Sequence, residues 1–202
     1  MGFSTLIDIM GATIIGGILL LMVNSLNERA VGTNIIYGSD KLLQMEVVQL
    51  ADLIETDFRK IGYCEDPAKV VDSLSVILSA DTSQIKFLTD LNRDGNLDTL
   101  EYYISSTSVL TNTKNPRDRI LYRKFSDYPY EKSLIVSSNV THFYLRYFDA
   151  LSDEISSPVT SPSLITYMEI SFKVEDSDAY DLQYSEAYWQ QVRLTSRNLG
   201  KR

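Results

Sequence analysis

The sequence predicts an α+β protein: a long N-terminal helix, a membrane half plus an amphipathic half, packed on an antiparallel β-sheet. Three observations predict it. Residues 9–23 run without a single charge. Leu43, Val47, Leu50, Ile54, Phe58 and Ile61 then recur at three- and four-residue steps, the period of one helical face. From about residue 70 the apolar period changes to two, and Asn, Asp, Ser, Gly and Pro clusters separate the segments.

Taken in order, residues 1–30 form a hydrophobic membrane or assembly helix. Counted from Phe3 to Leu26, the apolar stretch reaches the roughly 20 residues that a bilayer requires. It carries one carboxylate, Asp8, which in hydrocarbon costs at least ~2.5 kcal/mol unless a partner neutralises it. Gly11, Gly16 and Gly17 would let another helix approach closely. No Lys or Arg precedes the run, so charge gives no orientation. A secretory signal would want a basic start and a small-x-small cleavage site, and neither accompanies this segment.

Residues 31–62 continue as an amphipathic helix after a weak point at Val31-Gly32-Thr33-Asn34. Ser39 or Asp40 is the expected N-cap, and Gly62 is placed to end the helix in a left-handed conformation. Residues 63–202 read as a β-rich soluble domain. Strands are expected at 76–78, 85–88, 100–104, 120–125, 140–148, 165–174 and 188–195. Met168, Ile170, Phe172 and Val174 alternate most clearly, then Phe143, Leu145 and Tyr147, as half-buried antiparallel strands do. Residues 156–163, with Pro158 and Pro162, read as a flexible loop.

The N-terminus resembles that of type IV pilins and type II secretion pseudopilins. Gly2-Phe3 matches their processing site, Leu6-Ile7-Asp8 their acidic step, and residues 9–23 their apolar helix. Asp8 is the sixth residue from Phe3, where the family usually has Glu at the fifth. The resemblance implies cleavage after Gly2 by a prepilin peptidase, methylation of the new Phe3 amine, and pairing of Asp8 with the amine of a neighbouring subunit. Residues 52–63, Leu121-Tyr122-Arg123, residues 140–149 and residues 192–199 are similar to the J-type, PilW-like minor pseudopilins. The implied partners are other pilin or pseudopilin subunits, the peptidase and the inner membrane. The implied location is a single-pass inner-membrane protein with its soluble domain outside the cytoplasm, then a filament or filament tip.

One segment carries metal chemistry. Asp90-Leu-Asn92-Arg-Asp94-Gly95-Asn96-Leu-Asp98-Thr-Leu-Glu101 matches the twelve-residue calcium loop D-x-[DN]-x-[DN]-G-x5-E. Asp90, Asn92 and Asp94 would supply side-chain oxygens and Asn96 its carbonyl. Asp98 would bind through water, and Glu101 would close the site with two oxygens. The flanking segments read as strands, so the competing expectation is a metal-free hairpin turn rich in Asn, Asp and Gly. A membrane-tethered, calcium-binding adhesion module is the alternative to an assembling subunit. Asp176, Asp178 and Asp181 read as a solvated loop.

The net charge of −8 and pI near 4.7 argue against nucleic-acid binding. Cys64 is the only cysteine, which excludes an internal disulfide, and it reads as a partly buried small side chain. His142 is the only histidine and shares a strand face with Tyr144 and Arg146. There is no Gly-x-Ser-x-Gly elbow, phosphate loop or zinc spacing, so no enzyme is expected. Trp189 is expected to pack on the sheet.

Overall fold

The computed structural model describes residues 2–69, 76–127, 130–178 and 184–195. One helix, α1 (Gly2–Arg59), opens the chain. The apolar and amphipathic segments are a single helix. Residues 31–34 do not interrupt it, and Ser39 and Asp40 are interior rather than capping positions. A glycine costs a helix only about 1 kcal/mol, less than interrupting a cooperative helix that is anchored by a packed stripe further on.

The chain divides into two compact units, Met1–Lys41 and Leu42–Arg202. In the first, Leu6, Ile7, Ile9, Met10, Ile14, Ile15, Leu19, Leu20 and Leu21 are all exposed. This helix is long and apolar enough to cross a membrane. A Cβ added at Gly11, Gly16 or Gly17 would meet open space.

In the second unit, all six residues of the amphipathic stripe are buried. They share one core with Phe87, Leu100, Tyr102, Leu145, Tyr147, Met168, Ile170, Phe172 and Val174 from the sheet. The sheet comprises β1 (Ile77–Asp81), β2 (Gln84–Thr89), β3 (Asp98–Ile104), β4 (Arg119–Asp127), β5 (Tyr130–Phe148), β6 (Glu154–Ile155), β7 (Tyr167–Glu175) and β8 (Glu186–Leu194). Its order is β1-β2-β3-β4-β5-β7-β8, with β6 beside β5 and every pairing antiparallel. Leaving β6 aside, strands consecutive in the chain are thus neighbours, and each expected period-two segment overlaps one of them.

Two features went unread in the sequence. β5 begins ten residues before position 140, because 130–139 lacks apolar alternation and is recruited by pairing with β4, Phe125 opposite Lys132. Residues 156–163, expected as a loose loop, are tied to β1: Val159 is buried and its N–H donates to the Ala80 carbonyl at 2.9 Å.

The helix ends where two buried requirements meet. Gly62 takes φ 70°, which favours glycine, and its N–H donates to the Leu88 carbonyl at 2.8 Å. One turn earlier, Phe58 packs on Phe87 and Tyr102, with ring centroids 5.4 and 5.5 Å away. Trp189 lies over Phe172 at 5.1 Å, packing the sheet as its sequence context suggests.

Candidate functional site

The residues singled out in the sequence fall in two places. Gly2 and Phe3 open α1, and Asp8 lies exposed on it among apolar neighbours. The remaining six belong to the β2–β3 hairpin, whose last rung pairs Thr89 with Asp98 and leaves residues 90–97 as its connection.

Asp90 organises that connection from within. It is 1% exposed, and its Oδ2 accepts the Gly95 N–H and the Glu65 N–H, each at 3.0 Å. Its Oδ1 accepts the Asp94 N–H at 3.2 Å. Asn92 Oδ1 accepts the Asp94 N–H at 3.0 Å, and Asp94 Oδ1 accepts the Asn96 N–H at 2.8 Å. Asp98 Oδ2 takes the Leu91 N–H at 3.0 Å. Short carboxylates and amides are suited to this, since they reach backbone donors two residues on. The turn needs left-handed backbone at Arg93 (φ 61°) and Gly95 (φ 79°). The amide and side chain of Asn96, in that order, hold the exposed Asp94 carboxyl below the usual carboxylate range.

Five of the six residues proposed for calcium therefore sit in or at the edge of one turn. Glu101 does not join them. A helix after the loop would carry position twelve back over it, but β3 carries it away along the sheet. There it faces Lys86 and Lys124 across the ladders and accepts Gln84 Nε2 at 2.5 Å. Among the described residues no three His, Cys, Asp or Glu side chains gather closely enough to hold a metal. Within the turn the carboxylates of Asp90 and Asp98 serve backbone amides.

The turn is anchored by a segment whose role was not legible. Tyr63 O accepts the Asp90 N–H at 2.7 Å, the Cys64 thiol donates to the Gly95 carbonyl at 3.5 Å, and Lys69 Nζ donates to Asn96 Oδ1 at 2.7 Å. Asp66 Cβ stands 3.4 Å from where a Gly95 Cβ would be. Cys64 is buried, as its type suggested. Asp66-Pro67 was the available signal: Asp66 Oδ1 accepts the Ala68 N–H and opens a 3-10 turn at Pro67–Lys69.

A second polar cluster, unread in the sequence, lies inside the core. Asp57 on α1 accepts Tyr102 Oη and Arg123 Nε, each at 2.6 Å on Oδ2, and Arg123 Nη2 on Oδ1 at 3.2 Å. Burial first, then the Asp57 charge, pushes the Tyr102 hydroxyl far above its ordinary value. These bonds give α1 a fixed register on β3 and β4. Asp176 and Asp178 are partly or fully exposed, and Asp181 lies outside the described residues.

No family model matches this chain, and no curated protein matches it.

Proposed function

We propose that the protein is a structural, non-catalytic minor subunit of the pilin-like class. It would be cut after Gly2, methylated at Phe3 by a prepilin peptidase, and assembled with other pilin or pseudopilin subunits through its N-terminal helix. The observation that supports this reading most is the division of labour along α1. Its first part exposes an almost continuous apolar surface that holds one carboxylate, and its last part buries a stripe under a sheet. An apolar helix that serves only as an anchor has no use for Asp8, which is costly in lipid without a partner. A positive amine on a neighbouring subunit would remove that cost. The glycines at 11, 16 and 17 leave room for such a neighbour's helix.

Two measurements test the reading. Mass spectrometry of the protein from its native membranes should find an N-methylated Phe3 as the first residue. Asp8→Ala should leave the soluble domain folded and abolish filament incorporation. Normal incorporation of that variant would remove Asp8 from the mechanism, and an unprocessed N-terminus would shift the reading to a tethered binding module.

That module is the second reading, and the hairpin motivates it. Calcium would there draw on Asp90, Asn92, Asp94, Asn96 and Asp98, with Glu101 moving in to join them, and would stiffen the turn. Affinity near 10⁻⁴–10⁻³ M would serve outside a cell, roughly the range of extracellular modules.

A further inference from the structure

We propose that an open cleft on the β5–β7–β8 face opposite the core binds a neutral saccharide. Strand register builds the cleft. Lys173 on β7 pairs with His142 on β5 and with Tyr188 on β8. Residues paired across a ladder share a face of the sheet, so two rings flank Lys173 on strands roughly 10 Å apart. The cleft holds about 380 Å³ and is lined by these three residues with Arg117, Thr141 and Glu175. That volume is at the small end of ligand sites, which run from about 300 to 1,000 Å³. The β5–β7 ladder shifts register between Val140 and His142. Such a bulge re-aims the extra residue, and here it sets Thr141 in the lining.

The charges of the lining exclude an ionic ligand. Arg117 and Lys173 each reach Glu175 at 2.7 Å, and Lys173 also reaches Glu186 at 3.0 Å. An anion would have to break one of these pairs, and a cation would meet the same two positive groups. Two atoms define the polar groups of a neutral ligand. Thr141 Oγ1 is buried and has no hydrogen-bond partner among the described residues. Glu175 Oε1 faces Lys173, but among the described residues no well-directed hydrogen bond reaches it, and a carboxylate can only accept. Buried polar atoms normally find partners. A hydroxyl donates and accepts, so hydroxyls suit both atoms, and Lys173 keeps Glu186 when one displaces it from Glu175. Tyr188 supplies the apolar contact. It is 56% exposed, and the negative face of its ring attracts the weakly positive C–H bonds of a sugar ring. Opposite it stands His142, its pKa lowered first by burial and then by the charges of Lys173 and Arg119. That wall is therefore a neutral ring, and it serves as a reporter.

The test uses the full chain in zwitterionic, sugar-free detergent micelles, with NMR detection of the His142 and Tyr188 rings. The methyl glycosides of glucose, galactose and mannose, and N-acetylglucosamine, are titrated to about 100 mM, which detects millimolar binding. Sorbitol, which carries hydroxyls but no ring, is the control. At least one of the four sugars should give saturable shifts at both rings, with sorbitol inert. Read at His142, Tyr188→Ala should weaken binding about tenfold, and Tyr188→Phe should leave it nearly unchanged. Thr141→Val, nearly isosteric, should weaken it several-fold. A tetrasaccharide of the bound sugar that binds tighter assigns the site to a glycan chain; equal or weaker binding assigns it to a single sugar unit. No saturable shift from any of the four, equal shifts with sorbitol, or a wild-type titration in Tyr188→Ala would overturn the proposal.

Discussion

Asp57 and Arg123, 66 residues apart in sequence, form a buried ion pair of 2.6 Å, with only 4% and 12% of their side chains exposed. Breaking a buried pair strands one charge in a poor solvent for it, which typically costs about 3–5 kcal/mol. Arg123→Ala and Asp57→Ala should each destabilise the soluble domain by that order in urea unfolding. Tyr102→Phe removes one bond to the same carboxylate and should cost about 1.5–3 kcal/mol. A double-mutant cycle of Asp57 and Arg123 should show strong coupling, and additive losses would contradict the pair.

Glu175 makes stability depend on acid. Burial pushes its carboxyl up, but Lys173, Asn115 and Arg117 outweigh this and hold it at about 2, from an ordinary 4.5. A depressed pKa adds stability that is complete above 4.5 and lost as pH falls toward 2. The loss should be about 3 kcal/mol across that window. Glu175→Gln should flatten this part of the stability–pH curve, and an unchanged slope would show that the pairing is absent in solution.

Asp118 has the opposite sign. It is 1% exposed, among the described residues neither oxygen makes a geometrically sound hydrogen bond, and burial raises its pKa above 3.8. Its ionised form is a cost to the fold that is absent below 3.8 and appears as pH rises through the raised value. Asp118→Asn should therefore raise stability at pH 7 by about 1 kcal/mol, with the gain vanishing in acid. Thermal melts at pH 7 and pH 3 compare the two.

In the hairpin, Asp90 serves three backbone amides, so Asp90→Ala should cost at least ~3 kcal/mol and Asp90→Asn less. Gly95→Ala forces a side chain into φ 79° and should cost about 1–2 kcal/mol. Hydrogen exchange at the Gly95 and Glu65 amides locates the loss.

Calcium removal is a separate measurement. Because the turn is closed by its own amides, chelation should leave the fold intact. Calcium at ten times its dissociation constant would add about 1.4 kcal/mol, and Asp94→Asn should abolish that gain. A melting temperature indifferent to millimolar calcium would leave the hairpin metal-free.

Local patterning made much of this legible. The stripe from Leu43 to Ile61 announced a helix face, and Met168, Ile170, Phe172 and Val174 announced a strand. Burial must repeat with the period of the backbone, and that period is written in consecutive residues. The acidic loop was legible as a turn through Gly95 and its Asx residues. Glu101 was read as part of it because a motif records spacing, not whether a helix or a strand follows.

The sequence by itself determined the class of the fold, the apolar helix with Asp8 on it, and the place of the hairpin, all properties of neighbours in the chain. Only the tertiary structure decided that Asp57 meets Arg123, that the Glu65 amide closes on Asp90, and that Arg117 and Lys173 converge on Glu175. Those pairings depend on strand order and register. Register is set by how the whole core packs, and no local window of residues contains it.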